Sequence, residues 1–102
     1  MAIYVLSPAA ESDVTEIAAS IEEDNPIAAR QLVEDFLDAF ERLAKRPAMG
    51  HRRPDLTSRQ VLFWPVRRSY LIVYRAAPSA IEIVRVFNAR RDLASILAKL
   101  PD

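Results

Sequence analysis

The spacing of apolar residues changes near residue 47, and this change limits the folds that are open to the chain. Before it, two segments repeat apolar residues at helical spacing, and after it three short runs are rich in Val, Ile, Phe and Tyr. Helical spacing indicates amphipathic helices, whereas short β-branched and aromatic runs indicate strands. The sequence therefore predicts a helical first half and a sheet in the second half.

Each predicted helix begins at a capping residue followed by proline, with Ser7 before the first helix and Asn25 before the second. Ser and Asn are favoured N-caps, and proline at the first helical position loses no hydrogen bond. The first helix is expected to run to about Glu23. The second should end near Arg46, because Pro47 disfavours helix in the preceding residue. The short link between the two helices makes them antiparallel.

Three strand-forming runs follow, at residues 59–64, 69–76 and 80–87. Their links are short, so the strands are expected to form an antiparallel meander. The middle run contains "YLIVY", which is apolar on both faces. This pattern predicts a central position in the sheet, with the helical pair covering one side.

Two shorter elements complete the predicted fold. Residues 2–6 suit a strand, and Asn88 is expected to cap a short last helix. The apolar stripe of that helix is expected to hold Leu93, Ile96, Leu97 and Leu100. The prediction is one α+β domain over residues 1–102, in the order β–α–α–β–β–β–α, with a helical hairpin packed on an antiparallel sheet.

The composition narrows the class of protein. The 102-residue chain has no cysteine, which excludes disulfide frameworks and thiolate metal sites. No stretch approaches the roughly 18 consecutive apolar residues that a membrane span needs. We expect a soluble cytoplasmic protein that holds no metal or cofactor.

The net charge of zero hides a division between the two halves of the chain. Residues 1–41 carry ten acids and one arginine, a net charge of −9, whereas residues 42–102 carry thirteen bases and four acids, a net charge of +9. Such an asymmetry of charge affects the choice of binding partners and the rate at which they associate, but it does not determine the fold. The two halves either neutralise each other in the folded molecule or offer charged surfaces to partners.

Few residues could carry catalysis. The only histidine, His51, lies in a loop beside Arg52 and Arg53, a setting that suits an anion-facing surface better than a base held by a carboxylate. Gly50 is the only glycine, and a glycine-rich phosphate-binding loop needs more than one. The acids of the first helix, including Asp13, follow its polar face and indicate a solvated surface. No catalytic residue is expected.

The arginines are more informative. Arginine outnumbers lysine twelve to two, and "IVRVFNARRDL" ends a strand run on Arg85, Arg90 and Arg91. Guanidinium groups suit bidentate recognition of carboxylates and phosphates. Arg90 and Arg91 are expected in the first turn of a helix, where the dipole disfavours them, so a contact role explains them better than local stability. A structural alternative to the contact role is that Arg85 and Arg91 pair with acids of the hairpin. An alternative reason for the excess of arginine over lysine is the composition bias of a GC-rich genome.

Four segments in this order resemble the ParE/RelE superfamily of toxins from bacterial toxin–antitoxin pairs, and the ParE branch most closely. They are "LSPAAESDVTEIAASI", "NPIAARQLVEDFLDAFERLAKRPAMG", "YLIVYR" and "IEIVRVFNARRDL". The resemblance implies an α+β fold with a helical hairpin against an antiparallel sheet. It also implies an antitoxin partner in a hetero-oligomeric complex, whose disordered C-terminal segment folds over the toxin.

The superfamily divides by mechanism. The resemblance to the ParE branch implies inhibition of DNA gyrase by binding, with DNA contacted only through the antitoxin. A RelE-like alternative is an endoribonuclease that cuts messenger RNA in the ribosome, and a third is a non-toxic corepressor partner of the antitoxin. Position 88 is Asn where many relatives have His, and Tyr70 and Tyr74, the remaining candidates for proton transfer, lie in a core-like strand. These departures favour the binding inhibitor.

The predicted contact residues fall into two sets. Contacts to the target are expected from Arg67, Arg68, Arg85, Arg90, Arg91 and Trp64. Contacts to the antitoxin are expected from Ile17, Ile21, Leu32, Phe36 and Arg75. Trp64, beside a proline at a strand end, could equally lie at the rim of the core.

Overall fold

The predicted order of elements is confirmed in a computed structural model, which describes residues 3–100. Ala2, with which the predicted first strand begins, lies outside the described residues. The elements are β1 Tyr4–Leu6, α1 Pro8–Glu22, α2 Pro26–Lys45, a 3₁₀ turn Pro47–Met49, β2 Leu62–Val66, β3 Tyr70–Ala76, β4 Ile81–Asn88 and α3 Leu93–Ala98.

Both long helices begin as the sequence predicts. The Ser7 hydroxyl accepts a hydrogen bond from Ala10 N at 3.0 Å and donates one to Val84 O at 2.7 Å. Asn25 Oδ1 accepts from Ala28 N at 3.0 Å. Each cap satisfies a backbone N–H that would otherwise lack a partner in the first turn. Ser7 also fastens the start of α1 to β4.

The four strands form one sheet in the order β1-β4-β3-β2. The meander β2–β3–β4 is antiparallel and β3 is an interior strand, as predicted. β1 pairs with β4 in parallel, so the sheet is mixed rather than wholly antiparallel. Parallel pairing needs a long crossover, which the helical hairpin and the meander together provide.

The main core lies between the helical hairpin and one face of the sheet. Six residues of α2 are buried, among them Leu32 at 1% exposure and Phe36 at 0%. The Phe36 ring packs edge-on against Tyr70 at a centroid distance of 5.5 Å. Neither side chain reaches the surface of the folded chain, and their contact with the antitoxin stays a prediction.

A second apolar cluster covers the other face of the sheet, where α3 packs. Three residues of the predicted stripe lie on α3, where Leu93 and Leu97 are buried and Ile96 packs beside them. Leu100 is buried in the same cluster just after the helix ends. The cluster contains Val61, Phe63, Val73, Phe87, Leu93, Leu97 and Leu100. Both faces of the sheet are therefore partly covered, which explains why "YLIVY" is apolar on both sides.

The cap of α3 is Asp92, and the prediction of Asn88 is wrong. Asp92 accepts hydrogen bonds from Ser95 N at 3.3 Å and from the Ser95 hydroxyl at 2.8 Å. Asn88 is the last residue of β4, and its Oδ1 accepts from Arg90 N at 2.9 Å. The chain needs this turn to leave the strand, so Arg90 and Arg91 precede the helix instead of opening it.

The loop after α2 is held to the sheet by Tyr74 and His51. The buried Tyr74 hydroxyl donates to Pro47 O at 2.7 Å and accepts from Gly50 N at 2.8 Å. The His51 backbone pairs with Phe63 on the outer side of β2, which covers part of that sheet edge. Within residues 3–100, no helix is long and apolar enough to cross a membrane.

Candidate arginine contact surface

Two turns meet at one end of the sheet. The β2–β3 turn, residues 67–69, lies beside segment 88–91, because the first residue of β3 pairs with the last residue of β4. Ala89 N donates to Ser69 O at 2.8 Å, which joins the two turns directly. We call residues 67–69 and 88–91 together the basic end.

The basic end brings together four of the six predicted target contacts. Arg67 and Arg68 lie on one turn, and Arg90 and Arg91 lie on the other. All four residues are exposed. The sequence does not show that two arginine pairs more than 20 residues apart are neighbours, since this follows only from the pairing of β3 with β4.

The β2–β3 turn has an unusual backbone. Arg67 and Arg68 have φ values of 53° and 60°, in the left-handed region that hairpin turns usually fill with Gly or Asn. A side chain other than Gly costs about 1–2 kcal/mol in this conformation. Strained positions of this kind often mark functional sites. The turn retains two arginines despite that cost.

Only part of this charge is neutralised by the chain itself. Arg67 Nε donates to Asp35 Oδ2 of α2 at 2.5 Å. Throughout the part of the chain that the structure describes, Arg68, Arg90 and Arg91 form no ion pair. The basic end therefore presents three guanidinium groups to an external anion.

Arg85 has a different role from the arginines of the basic end. Its Nε and Nη2 donate to Asp13 Oδ2 at 2.7 Å and Oδ1 at 2.9 Å, and Val86 N also donates to Oδ2 at 2.9 Å. The Arg85 guanidinium lies 4.6 Å from the centre of the Phe87 ring. The hydrogen bonds to Asp13 raise the pKa of Arg85. For Arg85, the alternative of pairing with an acid of the hairpin is confirmed.

Asp13 is the residue whose role the sequence reasoning missed. Its side chain is 8% exposed and that of Arg85 is 22% exposed, so the prediction of a solvated Asp13 is wrong. The available signal was position, because Asp13 lies three residues after Ala10 and four before Ile17 on the inward stripe of α1. An acid on an apolar stripe requires a buried partner.

Trp64 lies beside the basic end rather than within it. It lines a cavity of about 290 Å³ between α2 and β2, together with Asp38, Arg42 and Arg67. Its ring stacks on the His51 ring at a centroid distance of 6.3 Å. Trp64 is half-buried, so it is both at the rim of the core and available to a partner that enters this cavity.

The remaining predicted antitoxin contacts occupy two separate places. Ile17 and Ile21 are half-buried on α1. Arg75 is exposed on β3 and pairs with Glu82 of β4, with Nη2 and Oε1 2.6 Å apart. Arg75 also lines a cavity beside Leu100, at the end of α3.

A groove between α1 and β4 connects the two predicted sets of contacts. It has a volume of about 180 Å³, and Ile17 of the antitoxin set and Arg91 of the target set both line it. Asp13, Glu16 and Ser20 complete its α1 side, and the buried Val86 lies at its base on the β4 side. We call it the α1–β4 groove.

Of the two candidates for proton transfer, Tyr74 lies inside the core, whereas the half-buried Tyr70 directly follows the basic end and pairs with Asn88. Burial raises the pKa of the Tyr74 hydroxyl, although its hydrogen bond from Gly50 partly opposes this shift. Tyr70 packs against Phe36. No three His, Cys, Asp or Glu side chains lie close enough to hold a metal ion, a statement limited to residues 3–100.

The fold is that of a solved toxin–antitoxin protein. A structure described as "Chromosomal ParDE TA system from P. aeruginosa" matches with a TM-score of 0.73 over 86% of this chain and 96% of that chain, at 20% sequence identity. The family is shown by the sequence, since the family model described as "ParE toxin of type II toxin-antitoxin system, parDE" matches residues 4–93. The chain therefore belongs to the ParE toxin family, and this membership implies an antitoxin partner. No curated protein matches the chain.

Proposed function

We propose that the chain inhibits DNA gyrase by binding through the basic end, and that a cognate antitoxin neutralises it in a hetero-oligomeric complex. The proposal includes the cytoplasmic location expected from the sequence, because gyrase acts on DNA there. Arg68, Arg90 and Arg91 are the leading contacts to the target. Arg67 and Trp64 are secondary contacts, since Arg67 already pairs with Asp35.

The observation that carries the proposal is the meeting of two arginine turns at one end of the sheet. Exposed guanidinium groups provide binding energy and orientation toward an anionic surface. Proton transfer in RNA cleavage needs a titratable group beside the phosphate. Tyr74 is engaged with Pro47 and Gly50 instead, and Asn88 holds Arg90 N. These contacts support binding as the mode of action.

The α1–β4 groove is the proposed place for an apolar side chain of the antitoxin. The half-buried Ile17 supplies an apolar wall, while Glu16 and Arg91 supply opposite charges across the groove. A segment that folds on binding can use such an anchor and extend along α1 past Ile21. A segment seated there would also cover Arg91, so antitoxin binding and target binding would exclude each other.

A supercoiling assay tests this function directly. Purified chain is added to gyrase, ATP and relaxed plasmid, and we expect loss of supercoiling together with linear DNA. Arg68→Ala/Arg90→Ala should weaken inhibition by about tenfold or more, because it removes two charged contacts. The matched control is Lys45→Ala/Arg46→Ala, which removes two exposed charges at the far end of α2.

The two other functions give different results. Unchanged supercoiling with rapid loss of translation in cells that express the chain would favour the ribosomal endoribonuclease. Normal growth during expression of the folded chain alone would favour the non-toxic corepressor. Full inhibition by the folded Arg68→Ala/Arg90→Ala variant would leave gyrase as the target and remove the basic end as the contact.

A further inference from the structure

We infer that the basic end binds the phosphate backbone of duplex DNA, so that the toxin contacts gyrase-bound DNA as well as the enzyme. This inference rests on the proposed function and deepens it. It departs from the expectation that DNA is reached only through the antitoxin, because the arginine cluster becomes visible only in the folded chain.

The polar groups of the basic end match those that contact phosphates. Arg68, Arg90 and Arg91 are exposed and have no carboxylate partner within residues 3–100, and Ser69 and Asn88 lie between them. Phosphate and sugar contacts in DNA complexes come from Arg and Lys, from polar side chains such as Ser and Asn, and from backbone N–H groups. The basic end offers Arg, Ser and Asn side chains within seven residues.

The basic end lacks the apolar centre that a protein partner would need. Among residues 3–100, the exposed large apolar side chains are Ile3, Val5, Ile27 and Leu37. None of them belongs to residues 67–69 or 88–91. Protein interfaces concentrate their binding energy in a buried apolar or aromatic core, whereas phosphate contacts need no such core. This difference favours nucleic acid over a folded protein as the immediate contact.

The arginines are also presented in a fixed arrangement. The Ala89–Ser69 hydrogen bond joins the turns, and paired strands lie only about 4.8 Å apart. Duplex DNA carries one negative charge per ~1.7 Å of helix axis, so several phosphates lie within reach of a cluster of this size. Planar guanidinium groups bind phosphates through two parallel hydrogen bonds.

The inference predicts a defined dependence of binding on salt. The probe is a fluorescent DNA duplex of about 20 base pairs, and binding is followed by anisotropy between about 50 and 200 mM salt. Three phosphate contacts give a slope of about −3 for the logarithm of the binding constant against the logarithm of salt concentration. Arg68→Ala/Arg90→Ala should reduce the magnitude of this slope by about 2.

Lys45→Ala/Arg46→Ala is the matched control for this measurement. It removes the same number of charges near Pro47, which lines a cavity with the β3–β4 turn at the opposite end of the sheet. We expect this variant to keep the wild-type slope. An equal loss in both variants would show general charge attraction and would overturn the assignment to the basic end.

Further arms of the experiment separate DNA from other partners. Tighter binding of polyglutamate or of an RNA duplex of the same length than of DNA would overturn the inference. Inhibition of gyrase by a chain that does not bind the duplex would also overturn it, while the proposed function would stand. Specific duplex binding without gyrase inhibition would instead support DNA contact and remove gyrase as the target.

Discussion

At the scale of single residues, Tyr74 is the side chain that fastens the loop after α2 to the sheet. Its hydroxyl is hydrogen-bonded to the backbone at Pro47 and Gly50. The same closeness explains the only glycine, since a Cβ at position 50 would lie 2.4 Å from the Tyr74 oxygen. Tyr74 is fully buried and cannot move aside at low cost. The pairing could not be predicted from sequence, because the two residues are 24 positions apart.

Tyr74→Phe should lower the free energy of unfolding by about 1–3 kcal/mol, because Gly50 N and Pro47 O lose their partner. Urea unfolding measures the change. Tyr4→Phe is the control, since the Tyr4 ring packs on Phe40 and its hydroxyl has no hydrogen-bond partner within residues 3–100. An equal change in both variants would contradict the assigned role.

The same residue predicts an alkaline limit to stability. The folded pKa of Tyr74 is raised above its ordinary value of 10.0, mainly by burial. The folded chain therefore retains a proton that the unfolded chain loses, so stability falls as pH rises above about 10. The fall in the free energy of unfolding with rising pH should be smaller in Tyr74→Phe than in the wild type. Urea unfolding of both proteins at increasing pH measures the difference.

At the scale of elements, α1 is held to β4 by polar contacts as much as by apolar packing. Ala10 and Asp13 are its only fully buried residues within the described chain. Ser7 bonds to β4 at Val84, and Asp13 bonds to Arg85 and to the next backbone N–H. The weak apolar stripe of α1 could be predicted from the sequence. The ion pair between Asp13 and Arg85 could not, because the two residues are 72 positions apart and meet only in the folded chain.

Asp13→Ala should lower the free energy of unfolding by about 3–5 kcal/mol, because it leaves Arg85 without its hydrogen-bonded carboxylate in a half-buried site. The double variant Asp13→Ala/Arg85→Leu should recover part of this loss. Asp55→Ala removes the exposed ion pair with Arg53 and serves as the control, with a much smaller loss because solvent screens this pair. A small effect of Asp13→Ala would mean that solvent reaches Arg85 freely.

The helix caps show how far local signals extend. Ser7 and Asn25 were predicted correctly, because each is followed at once by proline and a helical stripe. The prediction that Asn88 caps α3 was wrong, because the residues after it form a turn that the sequence does not distinguish from a first helical turn. The actual cap, Asp92, could have been predicted, because it is the last polar residue before Leu93, with which α3 begins.

Asp92→Ala should destabilise α3 more than Asn88→Ala does, because only Asp92 accepts hydrogen bonds from the first turn of that helix. Hydrogen–deuterium exchange of the α3 amides measures the difference. The Ser95 hydrogen bonds lower the folded pKa of Asp92 below its ordinary value of 3.8. This contribution to stability is therefore present above about pH 4 and is lost as pH falls through the folded pKa.

At the scale of the whole molecule, the sheet carries an apolar layer on each face and the basic end at one end of its strands. The α+β class, the order of elements and the interior place of β3 were all predictable from periodicity and turn residues. The meeting of the two arginine turns was not, because strand pairing between distant segments decides it. For the same reason the sequence could not separate Leu32, which faces the core, from Ile17, which lines a groove.

Leu97→Ala should lower the free energy of unfolding by about 2–5 kcal/mol, and so should Leu32→Ala, although the two lie on opposite faces of the sheet. The sheet is shared by both layers, so each variant should still unfold in one transition. Trp64 fluorescence and far-ultraviolet circular dichroism, compared in the same urea titration, test this. Separate transitions in the Leu97→Ala variant would mean that the α3 layer unfolds independently.

The pairing of β1 with β4 constrains the chain while it is being made. β1 leaves the ribosome well before its partner, which begins at Ile81, about 75 residues later in the chain. At synthesis rates of about 5–20 residues per second, β1 waits roughly 4–15 s for that partner. The nascent chain also lacks segment 88–91 during this time. Translation products that stop before residue 88 therefore cannot form the basic end, and under the proposed function they are not toxic.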